Sequence, residues 1–148
     1  VGSLMVVNAI GSMHDPDTGT LIAGPRNTKE IMSSSLDDLV MGQSQYNVDV
    51  GGNTTIGVIA TNADLNEKEV SHMARIGHDG LAMAVRPAHL VGDGDTIFSL
   101  ATGHCKRKVG VTEYNQILAA SVLCTFRAIL NAVLSAETLV GIPSVKDM

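Results

Sequence analysis

A layered α/β fold, with sheets covered by helices, is the class this sequence predicts. Three observations lead there. Apolar runs of strand length and stripes of helical period follow one another in the order β-β-loop-β-α-β-α. The 148 residues are 45% hydrophobic but only 3% aromatic, with no Trp and 15 Gly, so the core must be built from Val, Ile, Leu, Ala and Met at close backbone approach. The length suits one ordinary domain able to bury a core of its own.

Taken in order, Ser3 to Ile10 is a short apolar strand with Asn8 embedded in it. The turn chemistry of Asp15-Pro16-Asp17-Thr18-Gly19 and a second apolar run at Thr20 to Ala23 follow, and the pattern predicts a hairpin between the two runs. From Gly24 to Gly52 the periodicity dissolves into a long connection, with one helical turn around Leu36 to Met41. Thr54 to Thr61 is nearly continuous apolar sequence, which predicts a strand buried on both faces. Asn66 with Glu69 three residues later opens a helix in capping-box fashion. Val70, Met73, Ala74, Gly77, Leu81 and Ala84 give it one apolar stripe, and Pro87 ends it. Asp95 to Gly103 is a further strand, and Thr112 to Ala136 a long helix, apolar almost all round, to be buried between layers or against a partner subunit.

Composition excludes several functions. The net charge of −5, with no basic cluster beyond Lys106-Arg107-Lys108, argues against a nucleic-acid surface. Two cysteines make no disulfide framework, and Cys124, inside an apolar helical run, is expected as a small buried hydrophobe. The opening VGSLMVVNAIG has no basic n-region, and Ile117 to Leu134 is interrupted by Ser121, Thr125, Arg127 and Asn131. A cytoplasmic protein without a membrane span is the expectation. The chain starts in mid-strand without Met, so it is expected to be part of a longer polypeptide.

The chemistry concentrates at GGNTTIGVIATNA, Gly51 to Ala63. A hydroxyl directly after a peptide carbonyl can attack it through a five-membered ring, turning amide into ester, and water then frees a new N-terminal threonine. Gly51-Gly52 supplies an adaptable approach to the Asn53-Thr54 bond. The freed α-amine, with a pKa of roughly 8, would be a base beside its own hydroxyl. An ordinary turn-to-strand transition, or a glycosylation sequon, would also account for Asn-Thr-Thr. Asp93 and Asp95 flank Gly94 in a turn feeding a strand, a spacing that can aim both carboxylates at one pocket, where they would hold such an amine. A solvated Asp-Gly turn is the plain alternative, and a calcium loop lacks the further oxygen ligands it needs. Asn8 is either a backbone-bridging amide at a strand end or an N–H donor for an oxyanion. His72 and His78, six apart, miss the spacing of two metal ligands on one helix face, His14, His89 and His104 are scattered, and no metal site is expected.

Four stretches, VVNAIGSMHDPDTG, GGNTTIGVIATNADL, MARIGHDGLAMAVRPAH and GDGDTIFSLATG, together resemble the C-terminal portion of the self-processing aminopeptidase family. That family holds the L-aminopeptidase/D-alanyl esterase-amidases, the β-peptidyl aminopeptidases and the nylon-oligomer hydrolase. The resemblance runs from Val1 to about Leu134. It implies a four-layer α/β/β/α fold of N-terminal-nucleophile type, shared with ornithine acetyltransferase and represented here by its later half. Residues 1–53 would end the α-chain, with a processing linker over about 24–53, and residues 54–148 would form the β-chain. It implies cleavage after Asn53, Thr54 as nucleophile, Asp93 and Asp95 as the acidic pair of the threonine branch, and Asn8 as the oxyanion-stabilising asparagine. A functional tyrosine, and in some branches a lysine, lie upstream in the family; Tyr46 and Tyr114 do not match that context. The implied activity is amide or peptide hydrolysis on substrates with a free amino terminus, without cofactor, in an oligomer completed by an upstream segment. An acyltransferase of the ornithine acetyltransferase type, or a non-catalytic structural subunit, are the rival readings.

Overall fold

The computed structural model describes residues 1–26, 31–43 and 52–147. The structure is a mixed α/β arrangement of two three-stranded sheets and two long helices. The first sheet has the order β1-β4-β6, made of Gly2–Asn8, Thr54–Ala63 and Thr96–Cys105. Strand β1 runs antiparallel to β4, and β4 runs parallel to β6. A parallel pair needs a crossover, and helix α2 (Glu67–Ala84) supplies it. The second sheet, β3-β2-β5, is antiparallel and small: Leu21–Ala23, Ser12–His14 and Val85–Arg86.

The hairpin differs from the one the sequence predicts. The Asp15–Gly19 turn joins β2 to β3, closed by Asp15 N–H on Thr20 O (2.9 Å) and Gly19 N–H on Asp15 O (2.7 Å). Strand β1 leaves for the other sheet. The break falls near Gly11, where any Cβ would run into the Pro87 carbonyl, so the chain can pass that strand only as bare backbone. The connection from Gly24 onward is partly ordered. It carries an Arg26–Met32 bridge and a short helix α1, Ser35–Val40. Ser35 is fully buried against Ser12, whose Oγ donates to Ser35 Oγ (2.8 Å) and accepts from the Ser35 N–H (2.6 Å). Gly51, Tyr46 and the rest of 44–51, with 27–30 earlier in the linker, lie outside the described residues.

Helix α2 begins as expected. Asn66 Oδ1 accepts from the Glu69 N–H (3.1 Å) and Glu69 Oε2 accepts from the Asn66 N–H (2.9 Å), a reciprocal capping box. It stops at Ala84, ahead of Pro87, because Val85 and Arg86 go into β5; a residue before proline is held extended. The core unites Met5, Ile59, Met73, Leu81, Ile97, Phe126 and Ile129 between the first sheet and the two helices. Helix α3 (Val111–Ser135) lies along α2 and β1. It is long and apolar enough to cross a membrane, but its small polar residues Ser121 and Thr125 are fully buried in the protein. Tyr114 ties the helices together by donating its hydroxyl to the Glu69 carbonyl (3.0 Å). Cys124 is only half-buried, because it faces the N-terminal end of β1, with its thiol 3.6 Å from the Val1 carbonyl.

Strand β4 is not covered on both sides. Thr55, Gly57, Ile59, Thr61 and Ala63 are buried toward the helices, while the alternate positions are open or half-open. Cross-strand register then assembles an apolar outer face: Leu4 beside Val58 beside Phe98, and Val6 beside Ile56. Leu4 is 70% exposed and Phe98 62%, so the apolar run of β4 reflects a second face for which these residues supply no cover.

Gly80 sits where α2 meets α3, and a Cβ there would overlap the Val122 carbonyl and come within 2.9 Å of Thr125 Cβ. Gly→Ala inside a helix ordinarily gains up to about 1 kcal/mol. Here overpacking wins, and Gly80→Ala should lower stability by about 1–3 kcal/mol in denaturant unfolding. Gly2→Ala, where nothing lies within 4 Å, should leave the midpoint unchanged.

Candidate active site

One end of the first sheet collects the chemistry. Asn8 is the last residue of β1, and its register partner is Thr54, the first residue of β4. Parallel pairing sets Ile56 opposite Thr96, which brings the turn ahead of β6 to the same end. Three sequence-distant segments, Asn8, Asn53-Thr54 and Gly94-Asp95, therefore meet at one sheet end.

Thr54 is half-buried, and its hydroxyl donates to the Asn53 carbonyl oxygen at 2.6 Å. The same oxygen accepts the Gly94 N–H at 3.3 Å. A side-chain hydroxyl and a backbone donor thus converge on one carbonyl, that of the peptide bond singled out from the sequence. Asn8 lies one residue away from that carbonyl: its Nδ2 donates to the Gly52 oxygen at 3.0 Å, and the side chain is exposed rather than buried. It bridges backbone at the strand end. Beside this junction is an open cavity of about 410 Å³ whose lining includes Asn8, Asn53, Met13 and Pro25.

The two aspartates part company. Asp95 Oδ1 accepts the Thr55 N–H at 2.8 Å, and its side chain is only 5% exposed. Asp93 folds back into its own turn, where Oδ2 accepts the Leu90 N–H at 2.8 Å and its N–H donates to the Leu90 carbonyl at 3.0 Å. The positive φ of 99° that bends this turn belongs to Gly92. Gly94 is needed for space instead, because a Cβ on it would overlap the Thr54 hydroxyl.

Sequence reasoning missed three residues here. Gly94 contributes an N–H to the Asn53 carbonyl, a backbone property with no side-chain signal. His78 and His89 are eleven positions apart in the chain, yet their rings lie 4.9 Å apart, and His89 Nδ1 is 3.6 Å from Asp95 Oδ2. His78 thus faces this cluster. Burial lowers its pKa first, the neighbouring His89 charge adds to that, and Asp95 and Asp79 pull the other way. The only available hint was the crossover itself, since α2 and the turn ahead of β6 must come together beside β4.

Comparison with known proteins gives the family. A family model described as peptidase family S58 matches residues 1–146. An uncharacterized aminopeptidase of Mycobacterium tuberculosis is 36% identical over 163 aligned residues, covering 100% of this chain and 47% of the relative. An uncharacterized aminopeptidase of Mycobacterium leprae is 34% identical over 155 residues, covering 97% of this chain and 43% of the relative. The 6-aminohexanoate-oligomer endohydrolase of Paenarthrobacter ureafaciens is 37% identical over 51 residues, 34% of this chain and 14% of that enzyme. The chain spans about half the length, or slightly less, of the mycobacterial relatives it matches. On the match across residues 1–146, this chain belongs to peptidase family S58.

Proposed function

We propose that the protein of which these residues form a part is a self-processing peptide or amide hydrolase with Thr54 as its N-terminal nucleophile. The observation that carries this reading is the Thr54 hydroxyl resting on the Asn53 carbonyl oxygen at 2.6 Å, with the Gly94 N–H on the same atom. In the first reaction Thr54 Oγ1 bonds to the Asn53 carbonyl carbon. Negative charge gathers on the oxygen that Gly94 already contacts, and such a fixed donor in a sheltered site favours that charge. The Asn53 C–N bond then breaks, the Thr54 nitrogen takes up the proton lost by the hydroxyl, and an ester remains. Water hydrolyses the ester, leaving a carboxylate on Asn53 and a free α-amine on Thr54.

The same atoms then serve a substrate. The amine accepts the hydroxyl proton as Thr54 attacks a scissile amide, passes it to the leaving amine, and later activates water against the acyl-enzyme. Asp95, bound to the neighbouring Thr55 N–H, lies within reach of that amine, and Asp93 follows in the same turn. Departure of the Gly52 carbonyl with the cut end frees the Asn8 amide to hold the substrate oxyanion. The names of the relatives, aminopeptidase and 6-aminohexanoate-oligomer endohydrolase, support peptides and short amide oligomers with a free amino terminus as substrates. The upstream half of the same protein is the cover we assign to the Leu4, Val6, Ile56, Phe98 and Leu100 face. Two sheets stacked on that face would give the four-layer α/β/β/α arrangement.

Intact-mass analysis of the full-length protein should find two pieces, the second beginning Thr-Thr-Ile-Gly. Thr54→Ala should give one uncut mass and no hydrolysis of an amino-acid p-nitroanilide, while Thr54→Ser should still cut. An uncut, fully active wild type would sink the reading. Asn8→Ala in the processed enzyme should lower kcat by about 10²–10³-fold, the usual loss for one oxyanion donor. Gly94→Ala should block self-cleavage, because the added methyl displaces the Thr54 hydroxyl; wild-type processing in that variant would remove Gly94 from the mechanism.

A further inference from the structure

Asp95 is a carboxylate in an unusual position. It is almost fully buried, and no lysine or arginine pairs with it among the described residues. One oxygen receives the Thr55 N–H, and the nearest nitrogen to the other belongs to His89. The orientation of a carboxylate buried this deeply depends on the few groups that contact it. His89 is one of those groups. Its backbone adopts φ of 62°, in the left-handed region that non-glycine residues enter uncommonly and histidine more often than most. Its ring leans on His78 from α2 at 4.9 Å with a 56° tilt, which limits how it can turn away from Asp95. The face of His89 away from the cluster remains open to solvent, with the side chain 42% exposed. The three side chains do not converge as metal ligands do.

We propose that His89, backed by His78, is a positioning residue that keeps the Asp95 carboxylate aimed at the Thr54–Thr55 strand end. This rests on the N-terminal-nucleophile reading above. His89 acts from behind: its Nδ1–H donates to Asp95 Oδ2, while Oδ1 keeps the Thr55 N–H, and no covalent bond changes. The 3.6 Å separation in the uncut chain closes to hydrogen-bond length when Asp95 turns to meet the new α-amine. The titratable groups facing the pair are His78 and Asp79 on α2 and Asp95 ahead of β6. Asp93 is engaged with Leu90, and the Arg86 guanidinium with the Met83 carbonyl. His78 supplies a neutral, half-buried wall, because desolvation holds its pKa down.

The test uses the full-length processed protein with His89→Gly, which removes the imidazole yet accepts the positive φ without strain. His89→Asn serves as second variant, since Asn also tolerates that region and retains an N–H donor. In H89G, kcat on an amino-acid p-nitroanilide should fall by roughly 10–100-fold, the loss usual for an outer partner of a working group. KM should change little, the acid limb of the kcat–pH profile should move, and added imidazole should restore part of the rate. H89N should lie between H89G and wild type. Wild-type kcat and an unmoved pH profile in H89G would overturn the proposal. So would a loss that imidazole does not relieve and that leaves the pH profile unmoved, which is the mark of a merely structural histidine. Thr54→Ala assayed in parallel separates the layers: activity persisting there overturns the nucleophile reading itself, whereas an inactive T54A with a normal H89G removes only the histidine.

Discussion

Everything at the candidate site depends on the pairing of β4 with both of its neighbours. The antiparallel ladder to β1 sets Asn8 against Thr54, and the parallel ladder to β6 brings Gly94 and Asp95 to the same end. Side chains alternate along a strand, so a shift of one residue would exchange the buried set Thr55, Gly57 and Ile59 with the open set Thr54 and Ile56. Hydrophobic burial therefore fixes the register, and the register fixes which residues stand beside the Thr54 hydroxyl. Position here is inherited from the core.

Close backbone approach is the second constraint, and it explains a glycine-rich chain with few aromatics. Gly57 faces Met5, Gly77 faces Ile59, Gly80 meets α3, and Gly94 meets the Thr54 hydroxyl. The first three let sheet and helices pack at short range, and the fourth lets a turn deliver its N–H to the Asn53 carbonyl. The same absence of a Cβ serves packing at three places and chemistry at one.

The site also has an inner and an outer part. The inner part is ordered by the chain itself: Asp95 is anchored to Thr55, and His89 and His78 stand behind it. The outer part opens onto the apolar sheet face, where Phe98 and Leu4 face solvent. A surface of that composition is costly to leave wet, and the chain is about half as long as its mycobacterial relatives. Stability and substrate binding of the whole protein are thus tied to the same face in the reading proposed above.

Much was legible in the sequence alone. The capping box at Asn66 and Glu69, the stripe on α2, the strand after Asn53 and the long apolar α3 follow from local periodicity and short-range hydrogen bonding. The adjacency of Thr54 to the Asn53 carbonyl is written in covalent connectivity. What only the tertiary structure decided involves contacts between distant segments or properties of the backbone. The hairpin joined β2 to β3 because β1 was captured by β4, a non-local competition that no turn motif reveals. Asp93 and Asp95 look equivalent in sequence, but the turn at Gly92 spends one on its own closure and gives the other to Thr55. His78 and His89 meet only because the crossover folds α2 back beside β4, and Gly94 acts through an N–H that every residue but proline possesses. Covalent connectivity set the Thr54 hydroxyl beside the Asn53 carbonyl; long-range pairing chose the groups around them.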